Sequence, residues 1–448
     1  MLKKAFRNFI IKRTIGAKLR NRGMNLFTNH DILNKIRSDA EIKRQQDDRP
    51  HEVLYFHKVD DPYSHLTIQF IDKLSAAFDI TLKPVLVGEE NPEAVHEPSL
   101  YNVHCLNDVK RIAPYYGVIF SATSQPDQEL IDKSNSILTA VDNESFAEIA
   151  TKVSSALWDG DRDLLNKLSE EYSSSDEEVS KKLIDGNKIR DDKEYYFGSA
   201  FYYEKELYWG VDRLHHLEDR LIELGLKRDL INESVCAPVL HAPAKIESQK
   251  NLILHYYPSL NSPYTYASAK RVRSMKDNYP IKLITNPVLP MLMRNMTISD
   301  FQGKYIISDA AREARKNHYP MGSIYSPIGK PARKAYSLFP IVDDMEKGFE
   351  YIDELLKASF HDGINIGSDE YLESLIAKIG LDWSVVKKEL NTKRWRKVLD
   401  DNLKDMYAGN CWGVPSFKLT DSDGSNPFYV WGQDRMWLLQ EEINKRLG

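Results

Sequence analysis

The sequence predicts an α/β protein of two tandem units, each opening β-α-β, running through a helical insert and closing β-β-α. One layout occurs twice: LYFHKVDDPYSHL from Leu54 is answered by LHYYPSLNSPYTYA from Leu254, so that Asp61-Pro62-Tyr63 matches Ser262-Pro263-Tyr264. LKPVLVG (Leu82 to Gly88) answers ITNPVLP (Ile284 to Pro290), ALWDGD (Ala156 to Asp161) answers ASFHDG (Ala358 to Gly363), and LYWGVDRL (Leu207 to Leu214) answers YVWGQDRM (Tyr429 to Met436). The chain has 448 residues, and at roughly 150 residues per domain it exceeds one ordinary core.

Residues 1–49 read as a basic extension, 50–241 as the first unit and 250–448 as the second, joined near Ala242 to Gln249, a polar stretch around Pro243. The apolar run Val53 to Phe56 reads as a buried strand. A helix starts at Pro62, with Leu66, Ile68, Phe70, Ile71 and Leu74 on its apolar face, and a strand follows at Ile80 to Val87. The middle of each unit is helical in pattern: the first includes the acidic run from Glu170, and the second spans Tyr305 to Leu403. Each unit then closes with a hairpin and a last helix.

Composition removes several function classes. A formal net charge of −5 and pI near 6.2 give no global attraction to nucleic acid. The three cysteines, Cys105, Cys236 and Cys411, form no C-x-x-C pair, so no disulfide framework, zinc site or dithiol centre is written here, and no metal is expected. A reducing, cytoplasmic setting fits. In the extension, Lys3, Lys4, Arg7, Lys12, Arg13, Lys18, Arg20 and Arg22 precede the first acid, Asp31, with Phe6, Phe9, Ile10 and Ile15 among them. That pattern suits either a helix packed on the first unit or a weak contact with an anionic membrane surface. Its apolar runs are too short for a signal peptide or a spanning helix.

The chemistry-bearing residues lie in the second unit. Ser262 precedes a proline suited to the first helical position, so it reads as a helix cap or as a hydroxyl placed where amide donors and the helix dipole favour an anion. Val414-Pro415 reads as the start of an edge strand. Asp434 reads as a dipole-favouring acid near the last helix. Tyr257, Tyr264, Met291 and Met293 suit the wall of an apolar pocket or core packing alike.

Four motifs occur in order: Ser262-Pro263-Tyr264; Tyr305 with Asp309 and Arg312; Gly413-Val414-Pro415-Ser416-Phe417; and Trp431-Gly432-Gln433-Asp434-Arg435. With the β-α-β, insert, β-β-α order they resemble the DsbA-like thioredoxin-fold family, in the branch of 2-hydroxychromene-2-carboxylate isomerase and kappa-class glutathione transferase, here in tandem. The resemblance implies two thioredoxin-like domains, each with an inserted helical subdomain, and glutathione as cofactor. It implies that Ser262 hydrogen-bonds the glutathione sulfur and lowers its thiol pKa. It further implies a cis Val414-Pro415 whose backbone pairs with the cysteinyl part, Asp434 and Gln433 at the γ-glutamyl end, and Asn295 and Lys304 near the glycyl carboxylate. Gln433 departs from the family's serine. The substrate implied is a small electrophilic or aromatic molecule, isomerised or conjugated.

The first unit departs where it matters. Asp61 replaces the serine with a fixed negative charge, and Ser199 stands in place of the hairpin proline, although Trp209-Gly210-Val211-Asp212-Arg213 persists. It reads as a structural partner completing an intrachain pseudo-dimer, with a homodimer as the alternative association. Two other function classes stay open: a thiol-disulfide oxidoreductase-like protein without C-x-x-C, and a non-catalytic glutathione-binding or scaffold protein.

Overall fold

The computed structural model describes residues 14–448 apart from 91, 93, 229–232, 237–245 and 247. The expected join around Pro243 and the first thirteen residues of the basic extension lie outside the described residues. The chain divides into two compact units, Asn34–Val239 and Leu240–Gly448, the latter together with Met1–Leu33. No helix among the described residues is long and apolar enough to cross a membrane.

The unit Asn34–Val239 is built on a sheet of β1 (Glu52–His57), β2 (Thr81–Leu86), β3 (Ala200–Tyr203) and β4 (Glu206–Trp209), in the order β2-β1-β3-β4. β1 runs parallel to β2, with Leu54 opposite Lys83, and antiparallel to β3, with Leu54 opposite Tyr202. The other unit repeats the plan with β5 (Leu252–Tyr257), β6 (Ile281–Thr285), β7 (Ser416–Asp421) and β8 (Phe428–Trp431), in the order β6-β5-β7-β8. Here Leu254 faces Leu283 in parallel and Leu419 in antiparallel register. β1 is buried on both faces, by Val53 and Tyr55 on one and Leu54 and Phe56 on the other, whereas β5 buries Leu254 and Tyr256 on one face and Tyr257 on the other, with Ile253 and His255 half-buried. In each unit a helical insert separates the second strand from the closing hairpin, spanning Pro98–Asp192 in one and Asp300–Ala408 in the other.

Two expectations change. The helix after β1 is broken into Pro62–Ile68 and Ile71–Ala77, with the Phe70 N–H bonded to the Thr67 carbonyl, whereas its counterpart Pro263–Asn278 is continuous. The basic extension does not pack on the first unit as a whole. Its helix Thr14–Thr28 packs in the C-terminal unit, where Asn25 Oδ1 accepts from Ile324 N (2.7 Å), Asn21 Oδ1 accepts from Ser326 N (3.0 Å) and Arg20 donates to Ser326 O (2.9 Å). Asn29 then caps the helix His30–Gln46 through Ile32 N. From Asn34 on, this second helix belongs to the first unit, where Arg37 grips Glu206 with two bonds of 2.7 and 3.0 Å.

The first unit buries two titrating groups that oppose each other. Burial, with His65 nearby, drives the His57 imidazole down to about 3, and its Nε2 has no hydrogen-bond partner. Burial pushes the Asp61 carboxyl up to about 6. For His57 the unfolded chain binds the extra proton between pH 6.5 and 3, so acidification removes about 5 kcal/mol of stability. For Asp61 the folded chain holds the extra proton between pH 6 and 3.8, so acidification returns about 3 kcal/mol. His57 wins. The unit is expected to lose stability just below pH 6.5, hold nearly level from about 6 to about 4, and fall again below that. Exchange protection of the β1 amides against pH checks this: Asp61→Asn should turn the plateau into a continuous decline, and an unchanged profile would refute it.

Candidate active site

Ser262 occupies the N-cap of the helix Pro263–Asn278, with extended backbone (φ −104°, ψ 114°) and Pro263 in the first turn. Its Oγ accepts from Thr265 N (3.1 Å) and donates to the carbonyl of Val414 (3.3 Å). The Ser259–Asn261 turn feeding it is pinned from the insert, because the Tyr336 hydroxyl accepts from Leu260 N (3.1 Å) and donates to Val288 O (2.9 Å). Sequence-local capping and a long-range strap therefore fix the same hydroxyl.

The facing wall is the entry to β7. Val414-Pro415 is cis, as the resemblance implied. The glycine before it is required by space: a Cβ on Gly413 would lie 2.4 Å from the Trp431 ring, which packs on Trp412 with ring centroids 4.4 Å apart. Gly432, at φ 98°, turns the chain from β8 into a short 3-10 turn, Gln433–Arg435, and the last helix begins only at Met436. Asp434 thus sits in that turn, before the helix, half-buried.

Tyr264, two residues beyond Ser262, donates its hydroxyl to Asp309 (2.7 Å), which is buried and paired with Arg312 (2.5 Å) in the insert. The first unit repeats this bond at the same 45-residue separation: Tyr63 donates to buried Asp108 at 2.7 Å. Sequence reading missed this equivalence. The signal is present, since His104, Asp108 and Arg111 carry the spacing of Tyr305, Asp309 and Arg312, with histidine in place of the tyrosine.

Ser262, Val414 and Pro415 are brought together. Others of the expected set go elsewhere. Tyr257, expected at a pocket wall, is wholly buried on the central strand, clustered with Val288, Met406 and Cys411 and bonded to Asp405. Gln433, expected to face ligand, is also buried: its amide receives Arg271 and donates to Glu313 (2.8 Å) and Asp434. Asn295 is exposed with φ 64°, a left-handed turn position that asparagine tolerates. Lys304 lies half-buried in the first turns of the helix Asp300–Lys316, and Met291 opens the 3-10 turn Met291–Met293, half-buried.

Two features had no sequence signal. Arg294, directly after that turn, donates to the carbonyl of Trp412 (2.9 Å). Asp405 accepts from Tyr257, Lys418 (2.7 Å) and Tyr429 (3.3 Å). Partial burial would raise its carboxyl, but the bonds from Lys418 and Tyr257 and the Lys418 charge outweigh that and hold it below the ordinary range.

The first unit's corner is filled by its own groups. Asp61 caps the helix as Ser262 does, accepting from Tyr63 N (3.1 Å), Ser64 N (3.0 Å) and Ser64 Oγ (2.8 Å). A Cβ on Gly198 would stand 2.9 Å from Lys58 and 3.4 Å from Asp61, so the hairpin entry closes directly on this corner. The Asp61 charge is not fixed, as its sequence position implied; with its carboxyl pushed up to about 6 by burial it titrates near neutrality.

A family description, DSBA-like thioredoxin domain, matches residues 253–444. An uncharacterized protein of Bacillus subtilis (strain 168), YwbO, is 30% identical over 89 residues, 20% of this chain and 44% of that protein, so the match spans less than half of the relative. Among solved structures, a 2-hydroxychromene-2-carboxylate isomerase is 19% identical, covering 43% of this chain and 95% of that one, with a TM-score of 0.36. The cytosolic disulfide reductase DsbM from Pseudomonas aeruginosa with GSH is 16% identical, covering 44% of this chain and all of that one, with a TM-score of 0.34. The family match covers both sides of the Ser262 corner: residues 253–444 of this chain are similar to the DSBA-like thioredoxin domain.

Proposed function

We propose that the C-terminal unit is a glutathione-dependent isomerase or transferase of the 2-hydroxychromene-2-carboxylate isomerase type, with Ser262 activating the bound thiol toward an electrophilic small molecule. The observation that carries this reading is the Ser262 hydroxyl itself. It caps a helix at the mouth of the β7 entry and spends its one proton on a long, 3.3 Å bond to Val414. A charge-assisted bond to a thiolate is stronger than such a neutral one, so the proton is free to be redirected while Thr265 N keeps the cap. When bound, glutathione supplies the thiol whose addition to an electrophilic carbon gives conjugation, or isomerisation if elimination follows.

The residues present fit such a ligand in part. Ser262 would face its sulfur, Val414 its backbone, and the half-buried Asp434 carboxylate its ammonium, while the Gln433 side chain is committed to Arg271 and Glu313. A dithiol reaction lacks its groups: Cys105, Cys236 and Cys411 are all buried, and a serine and an aspartate stand at the two helix N-termini.

Calorimetric titration of the whole chain with glutathione tests the reading. Saturable binding is expected, weakened about tenfold or more in Asp434→Ala for loss of a charge-assisted contact. No binding at millimolar glutathione would leave a scaffold protein instead.

A further inference from the structure

We infer that the outward face of the helix Thr14–Thr28 docks on an anionic phospholipid surface. Successive side chains project about 100° apart around a helix. Arg20, Asn21, Met24, Asn25 and Thr28 therefore fall on one half of it, and Lys18, Leu19, Arg22, Leu26 and Phe27 on the other. The first half is fixed to the C-terminal unit. Arg20, Asn21 and Asn25 bond the segment Ile324 to Ser326 at 2.7 to 3.0 Å, Met24 packs against the core of the insert, and Arg315 donates to the carbonyl of Thr28 at 3.2 Å. The second half is left to solvent: Leu19, Leu26 and Phe27 are 52%, 53% and 43% exposed, and Lys18 and Arg22 are exposed beside them.

The order around the exposed half is Lys18, Arg22, Leu26, Leu19, Phe27, with the cations at one border and the apolar side chains beyond them. A helix lying in a bilayer interface uses that order: leucine and phenylalanine enter the acyl boundary while long basic side chains reach the phosphates. Charge points the same way. No acid precedes Asp31, and Lys3, Lys4, Arg7, Lys12 and Arg13 lie among Phe6, Phe9 and Ile10 in the preceding sequence, although the chain as a whole carries −5. A second copy pairing through this face would set Lys18 and Arg22 against like charges. A nucleic acid would take the cations and leave the three apolar side chains in water. Because the packed half holds the helix in place, docking requires little further ordering of the chain.

Co-sedimentation of the whole chain with vesicles tests the inference, one set being phosphatidylcholine with about a third phosphatidylserine and the other phosphatidylcholine alone. Binding is expected on the anionic vesicles, falling as salt rises, and negligible on the neutral ones. Lys18→Gln combined with Arg22→Gln should weaken it about tenfold or more, at roughly fivefold per basic side chain. Leu26→Ser combined with Phe27→Ser should also weaken it about tenfold or more. All four positions are exposed, so both double variants should keep the wild-type circular dichroism and melting temperature. Equal binding to both vesicle sets, binding to neither, or full binding retained in either double variant would overturn the inference. A concentration-dependent dimer that Leu26→Ser with Phe27→Ser abolishes, without vesicle binding, would assign the face to a second copy instead.

Discussion

Ser262→Ala is expected to lower turnover by about ten- to a thousandfold, the loss that follows removal of one oriented donor at a developing charge. The fold should survive, because an N-cap serine contributes only about 1 kcal/mol. Ser262 has two bonds to lose, the acceptance from Thr265 N and the donation to Val414 O, and only the second involves the proton that a thiolate would claim. Ser262→Asp separates the two roles. Aspartate caps well, as Asp61 does in the first unit with two backbone amides, yet places an anion against the thiolate. Ser262→Asp should therefore match or exceed wild-type stability while losing thiolate absorbance altogether, and Asp61→Ala should leave turnover nearly unchanged. Retained turnover in Ser262→Asp would show that the serine is a cap and nothing more.

The sheet and the corner were legible in the sequence because both rest on local rules. Apolar runs flanked by turn residues mark β1 and β5, and a serine or aspartate before proline marks a helix start whatever follows in space. Residues whose role depends on the far side of the fold were not legible. Tyr257 looks like a pocket aromatic in sequence, but its strand lies between β6 and β7 and the ring is buried against Val288, Met406 and Cys411, so it is core. Gln433 looks like a ligand contact until Arg271 and Glu313, 162 and 120 residues away, are brought against it. Arg294 carries no motif, and only the fold brings it to the Trp412 carbonyl. The break at Phe70 was hidden because the apolar positions run on through it.

The Tyr-Asp bond shared by the two units gives the second large effect, and a difference between them. Asp309→Ala removes the carboxylate from Arg312, whose side chain is only 11% exposed, and also removes the acceptor of the 2.7 Å Tyr264 hydroxyl bond. Breaking a buried ion pair by removing one member costs about 3–5 kcal/mol. Tyr264→Phe removes the hydroxyl alone and leaves the ion pair, so it should cost about 1–2 kcal/mol. In the first unit Asp108 takes the same bond from Tyr63, but Arg111, at the position of Arg312, is exposed. Water already solvates the exposed Arg111, so Asp108→Ala should cost about 1–3 kcal/mol, chiefly for the lost Tyr63 bond. Amide-exchange protection, read separately in the helices Asp300–Lys316 and Pro98–Ile112, measures both. The expected order is Asp309→Ala well above Asp108→Ala, with each loss confined to its own unit. Equal losses would mean that the ion pair adds nothing to the hydroxyl bond, and a negligible loss at Asp309 would mean that neither contact holds the insert helix against the Ser262 corner.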